Sequence, residues 1–90
     1  MYFSNLSRRV CILSEKWETL LDYIENNLHS GATLYEATGA YTGIKEKEIN
    51  VILNKHEYRL LMNYIAKTDP NAFVTVYSVS KVIYRPKQIK

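Results

Sequence analysis

The chain carries one cysteine in 90 residues. That excludes an internal disulfide and any metal cluster built on cysteine. Proline occurs twice and glycine three times, so low-complexity linkers are excluded as well. No apolar run approaches the ~20 residues of a membrane-spanning helix, and no signal peptide opens the chain. The expectation is a soluble domain. Phe and Trp are few, two and one, yet there are eight tyrosines. Apolar residues make up 47% and charged residues 23%, a globular balance that argues against disorder. Ninety residues fit one small domain with a single core.

Charge of neither sign dominates: 12 Lys and Arg face 9 Asp and Glu, a net +3. The distribution is uneven. Arg8, Arg9 and Lys16 stand against Glu15, Glu18, Asp22, Glu25 and Glu36 in residues 1–44, a balance of −2. Residues 45–90 hold nine basic and four acidic side chains, a balance of +5. Lys81, Arg85, Lys87 and Lys90 fill the last ten residues with no acid among them. Such a tail is either a solvated terminus or an attraction for anionic partners.

Val10-Cys11-Ile12-Leu13 is a short unbroken apolar run, as in a central strand buried on both faces. Ser14 then predicts a helix N-cap, with Glu15 and Glu18 in the first turn. Trp17, Leu20, Leu21, Ile24 and Leu28 recur on one helical face, and Gly31 predicts the stop. Ala32 to Thr38 reads as a second strand, broken by Gly39-Ala40-Tyr41-Thr42-Gly43. Ile49 to Leu53 reads as a third, after a connection of about ten residues, long for a hairpin. Asn54 with Glu57 makes a capping box for a second helix through Tyr58, Leu61, Met62 and Ile65. Asp69-Pro70 ends it, and Phe73 to Tyr77 forms the fourth strand. Val79 and Val82 to Tyr84 suggest a short fifth. The order βαββαβ predicts an α+β, ferredoxin-like sandwich: a four-stranded antiparallel sheet with two helices on one face. Its uncovered face would carry apolar and aromatic residues, which self-association would cover. The expected layout is a lead-in at 1–8, one domain at 9–85 and a basic tail at 86–90.

No catalytic constellation is present, so the expectation is a protein that is not an enzyme and needs no cofactor. Cys11 reads as packing rather than a reactive thiol. His29 and His56 lie on separate elements and make no metal-ligand set. All three glycines fall between residues 31 and 43. Glycine allows positive φ and close backbone approach, and Tyr41, Thr42, Lys45 and Lys47 add a ring, a hydroxyl and two ammonium groups. One reading is a loop that holds a phosphate by backbone N–H and lysine, with a base stacked on Tyr41. The other is a helix stop and a turn flanked by solvated lysines.

At these residues the chain resembles a known family. Gly31 and Thr33, then Gly39, Tyr41, Thr42 and Gly43, then Asp69, Pro70, Ala72 and Phe73 follow three ordered motifs. They are those of the cytoplasmic C-terminal domain of YitT-type bacterial membrane proteins, a domain family of unknown function. Glu57 matches the family's acidic residue at the start of the second helix. The likeness spans about residues 9–83. Two departures stand out. Ser30 occupies a position where the family commonly has Arg, and Val82 is followed by Ile83, Tyr84 and Arg85 rather than a Gly-x-Gly-Phe ending.

The resemblance implies a parent protein with a membrane domain ahead of this one, at the inner face of the cell membrane. This chain is then expected to be a soluble piece of an anchored protein or a free-standing version. It also implies a PII-like fold, whose members form trimers and bind nucleotides between subunits. Gly39, Tyr41, Thr42, Gly43, Lys45 and Lys47 become the expected ligand contacts, and Gly31, Thr33, Asp69, Pro70, Ala72 and Phe73 a structural motif. The expected function is a regulatory domain that binds a small anionic ligand such as a nucleotide. The alternative is an oligomerisation or interaction module. Nucleic-acid binding is disfavoured, because the aromatic and basic pattern of RNA readers is missing.

Overall fold

A computed structural model describes the backbone of residues 2–4, 7–79 and 82–84, and the side chains of residues 7–79. The expected tail at 86–90 lies outside the described residues. Among the described residues, six strands and two helices follow in the order β1 (Tyr2–Ser4), β2 (Ser7–Leu13), α1 (Trp17–Asn26), β3 (Thr33–Thr38), β4 (Lys45–Leu53), α2 (Lys55–Thr68), β5 (Phe73–Val79) and β6 (Val82–Tyr84). The main sheet is four-stranded and antiparallel, in the order β3-β4-β2-β5. This is the expected ferredoxin-like arrangement.

Strand alternation decides which face each residue serves. Val10 pairs with Val51 and Val76, and Ile12 with Ile49 and Val74, so these residues share the face beneath the helices. Val10, Ile12, Ile49, Val51 and Leu53 are buried there against Leu20, Ile24 and Leu28 and against Leu61 and Ile65 of α2. The Tyr23 and Tyr64 rings, one from each helix, stack with centroids 3.9 Å apart. Asn54 and Glu57 close the expected capping box: Glu57 N–H donates to Asn54 Oδ1 at 2.8 Å, and Asn54 N–H to Glu57 Oε1 at 2.9 Å.

The expected short last strand is present as Val82–Tyr84, and it pairs with β1 in a separate two-stranded sheet. Three local expectations are corrected. The lead-in contains β1, and the first main strand already starts at Ser7. Helix α1 starts at Trp17 rather than directly after Ser14, whose Oγ accepts from Lys16 N–H at 2.9 Å in a turn ahead of the helix. Its stop is set by His29, which takes a left-handed φ of 54°, while Ser30 N–H returns to the Ile24 carbonyl at 3.0 Å. Gly31 lies beyond that turn, has no positive φ and has open space around its Cα hydrogen.

Candidate functional site

The β3–β4 connection is shorter than its sequence suggests. Lys45, Glu46, Lys47 and Glu48 belong to β4, where they pair with Thr38, Ala37, Glu36 and Tyr35. Only residues 39–44 form the loop, which closes on itself. Gly39 N–H donates to the Ile44 carbonyl at 2.9 Å, and Gly43 N–H to the Gly39 carbonyl at 2.8 Å. Ile44 N–H donates to Thr42 Oγ1 at 3.2 Å. Gly43 has φ 71°, the left-handed region, and a Cβ on Gly39 would stand 2.6 Å from Thr42 Oγ1.

Three motif residues, Gly39, Thr42 and Gly43, therefore shape the loop. The amides of Gly39, Gly43 and Ile44 are already committed to bonds within it, so they do not form the phosphate cradle that the glycine spacing allows. Tyr41 is displayed at the tip, fully exposed, with Ile44 also exposed.

The two lysines are placed elsewhere. Lys45 and Lys47 share the β4 face of Ile49 and Val51, but they lie past the buried part of that face. They border a groove of about 950 Å³ at the end of the sheet. Its opposite wall is formed by Ser14 and Trp17 where β2 passes into α1, and by Asp69, Asn71 and Phe73 where α2 passes into β5.

That wall is braced by Asp69. Its Oδ2 accepts from Ser14 Oγ at 2.5 Å and its Oδ1 from Asn71 N–H at 3.1 Å. Lys16 Nζ donates to the Thr68 carbonyl at 2.8 Å, tying the same two corners together. Asp69 leaves the helical region at φ −148° and ψ 86°, in line with the bias of a residue before proline away from the helical conformation. Ala72 packs partly buried against the core, while Phe73 is 67% exposed. The Asp-Pro-Asn-Ala-Phe segment thus positions one wall of the groove.

Glu15, Glu36 and Glu46 also border the groove, so its charge is mixed. It offers two ammonium groups, several carboxylates and the flat faces of Trp17 and Phe73. The structure therefore joins Lys45 and Lys47 to Asp69 and Phe73, and leaves Gly39, Tyr41, Thr42 and Gly43 outside. Ser14 and Trp17 were legible only as a helix cap and a core residue. Nothing in their spacing reports that they face the hairpin across a groove.

The family model described as "Uncharacterized protein conserved in bacteria (DUF2179)" matches residues 30–84. This chain belongs to that family. Among curated relatives, the UPF0750 membrane protein YdeO of Bacillus subtilis is 36% identical over 76 residues, which is 84% of this chain and 26% of the relative. The chain spans about a quarter of the length of the curated relatives it matches, between 26% and 28%. The domain is thus a portion of larger membrane proteins in those relatives, as the motif resemblance implies. Among the described residues no helix is long and apolar enough to cross a membrane.

A DUF2179 protein from Eubacterium ventriosum superposes with a TM-score of 0.69 at 28% identity, covering 79% of this chain and 97% of that one. A protein described as PII-like from Thermus thermophilus superposes with a TM-score of 0.69 at 16% identity, covering 92% of this chain and 94% of that one. The second likeness concerns the fold alone, and it agrees with the PII-like expectation.

Proposed function

We propose that this DUF2179 domain is a non-enzymatic sensor, which binds a small ligand at an oligomer cleft and biases the membrane domain of its parent protein at the inner face of the membrane. The groove beside Lys45 and Lys47 carries this reading. Its mixed chemistry suits a ligand with an anionic group for the lysines, donor groups for the carboxylates and a flat body for Trp17 and Phe73. A nucleotide has all three. The copies assemble as a trimer in this reading, and the groove at the end of each sheet is completed by a neighbouring copy.

Calorimetric titration with a nucleotide panel, cyclic dinucleotides included, is the test. At least one compound is expected to bind, and the double variant Lys45→Ala/Lys47→Ala to weaken it at least about tenfold, the loss of roughly one charge-assisted contact. No heat from any compound up to millimolar concentration overturns the nucleotide reading.

A second reading rests on the hairpin tip. Gly39, Thr42 and Gly43 give the loop a fixed shape whose visible result is an exposed Tyr41. Tyrosine combines an apolar body with a polar tip and is frequent in interfaces. On this reading the tip docks on a partner and no small ligand is involved. Tyr41→Ala then changes the oligomer mass or partner binding with no ligand present, which light scattering measures.

A further inference from the structure

The two ends of the main sheet differ in charge. β2 begins and β5 finishes at the same end, where Ser7 pairs with Val79, so the chain enters and leaves the sheet there. Leu53, the last residue of β4, pairs with Arg8, which brings the start of α2 to this end as well. Arg8 shares the helix side of the sheet with Val10 and Ile12, and its guanidinium lies 5.9 Å from the centroid of the Tyr58 ring on α2. Lys55 and Arg59 stand one turn apart on the exposed side of α2. Three cations thus gather on the helix side of the entry end. Two carboxylates lie near them, and both are turned elsewhere. Glu57 is committed to the capping box. Glu25 follows Tyr23, whose ring stacks on α2, by two residues or about 200° of helical turn, which carries it to the far side of α1. The opposite end holds the groove and more carboxylates than lysines, among them Glu15, Glu36, Glu46 and Asp69. In sequence, the ten residues that close the chain add Lys81, Arg85, Lys87 and Lys90 with no acid.

We infer that the entry end docks on an anionic phospholipid surface and holds the groove at the far end of the sheet away from the membrane. The inference rests on the membrane placement in the proposed function. The curated relatives are membrane proteins of which this domain is about a quarter. In such a protein both connections of the domain leave from the entry end, so a tether on either side brings that end to the membrane. Charge favours the same orientation. Each Lys or Arg near an anionic leaflet strengthens adsorption by about fivefold, and the attraction fades within a Debye length of about 8 Å. The seven residues of β2 separate the two ends of the sheet by roughly 23 Å. With the entry end down, Arg8, Lys55 and Arg59 lie within reach of the lipid phosphates, while Glu15, Glu36, Glu46 and Asp69 are screened from them. The reverse orientation sets those carboxylates against the anionic surface.

The test is co-sedimentation of the chain with vesicles of phosphatidylcholine, alone or mixed with phosphatidylglycerol. Circular dichroism of each variant reports folding. Wild type is expected to bind the anionic vesicles at low salt, to leave them at about 0.5 M salt, and to ignore the neutral ones. Arg59→Glu is expected to weaken binding at least about fivefold, and the double variant Lys55→Glu/Arg59→Glu at least about twentyfold. Lys67→Glu makes the same charge change at the far end of the same helix and is expected to stay within about twofold of wild type. A folded double variant that binds like wild type overturns the inference. So does a folded Lys67→Glu as weak as Arg59→Glu, because net charge then governs and the two ends are equivalent. Tighter binding of a single-stranded oligonucleotide than of the anionic vesicles, at equal salt, assigns the basic end to nucleic acid and overturns the lipid reading. A wild type indifferent to anionic vesicles overturns the docking alone, since the nucleotide titration reads the groove independently of any membrane.

Discussion

Replacing each of the three glycines by alanine separates their roles, because the structure assigns them three different costs. Gly43 has φ 71°, where a Cβ costs about 1–2 kcal/mol. Gly39 has no positive φ, but an added Cβ would stand 2.6 Å from Thr42 Oγ1. Relief requires Thr42 to rotate, which breaks its bond with Ile44 N–H and costs about 0.5–1.5 kcal/mol. Gly31 has neither a positive φ nor a neighbour within 4 Å of an added Cβ. Alanine there restricts the unfolded chain and stabilises by about 0.4–1 kcal/mol.

Urea unfolding monitored by circular dichroism reads all three through the midpoint at constant slope. Thermal melts give an independent scale, on which 1 kcal/mol moves the midpoint by roughly 4–8 °C in a domain of this size. The expected order is Gly31→Ala above wild type, then Gly39→Ala, then Gly43→Ala. A Thr42→Ala background isolates the Gly39 contact. There Gly39→Ala becomes nearly neutral, whereas Gly43→Ala retains most of its cost. If Gly31→Ala proves as destabilising as Gly43→Ala, the conformational argument is refuted. If Gly39→Ala costs the same with and without Thr42, the steric argument fails.

Other substitutions probe the frame around the groove. Asn54→Ala removes the side-chain acceptor of the capping box and is expected to lower stability by about 1 kcal/mol in urea. Ser14→Ala breaks the bond to Asp69 Oδ2 and is expected to cost about 1 kcal/mol, at the low end for a charged acceptor because both residues are partly exposed. Amide exchange in the β2–α1 turn should rise with it, and an unchanged exchange rate would argue against the brace. Ser30→Arg introduces the residue that the motif resemblance leads one to expect there; Ser30 Oγ stands 3.4 Å from Glu57 Oε2, so the guanidinium can reach a carboxylate already fixed by the capping box. A gain of about 0.2–1 kcal/mol is expected, shrinking in high salt. Leu61→Ala opens a cavity at a fully buried core position and is expected to cost about 2–5 kcal/mol.

The architecture was legible because its signals are local and redundant. The helical apolar stripes, the Asn54–Glu57 box and the Asp69-Pro70 stop each report one element without reference to any other. The site was less legible. Lys45 and Lys47 read as loop residues because Lys-Glu-Lys-Glu carries no apolar alternation. They are strand residues because β3 pairs with them at its far end, beyond the cover of the helices. Gly31 looked like a helix stop by residue type, but His29 takes the left-handed conformation two residues earlier.

Local sequence was enough for the order of elements, the layer of two helices on one sheet face and the family motifs. Period and capping are properties of a few neighbouring residues, and a short chain of this size has few ways to bury two such stripes. Packing in three dimensions was needed to show that Gly39, Thr42 and Gly43 shape a closed turn while Lys45 and Lys47 border a groove facing Asp69. Strand pairing brought Arg9, Asn50 and Glu48 together on the uncovered face, although Arg9 lies some forty positions from the other two in sequence. Register across strands sets such neighbours, and register is a property of the assembled sheet rather than of any one segment.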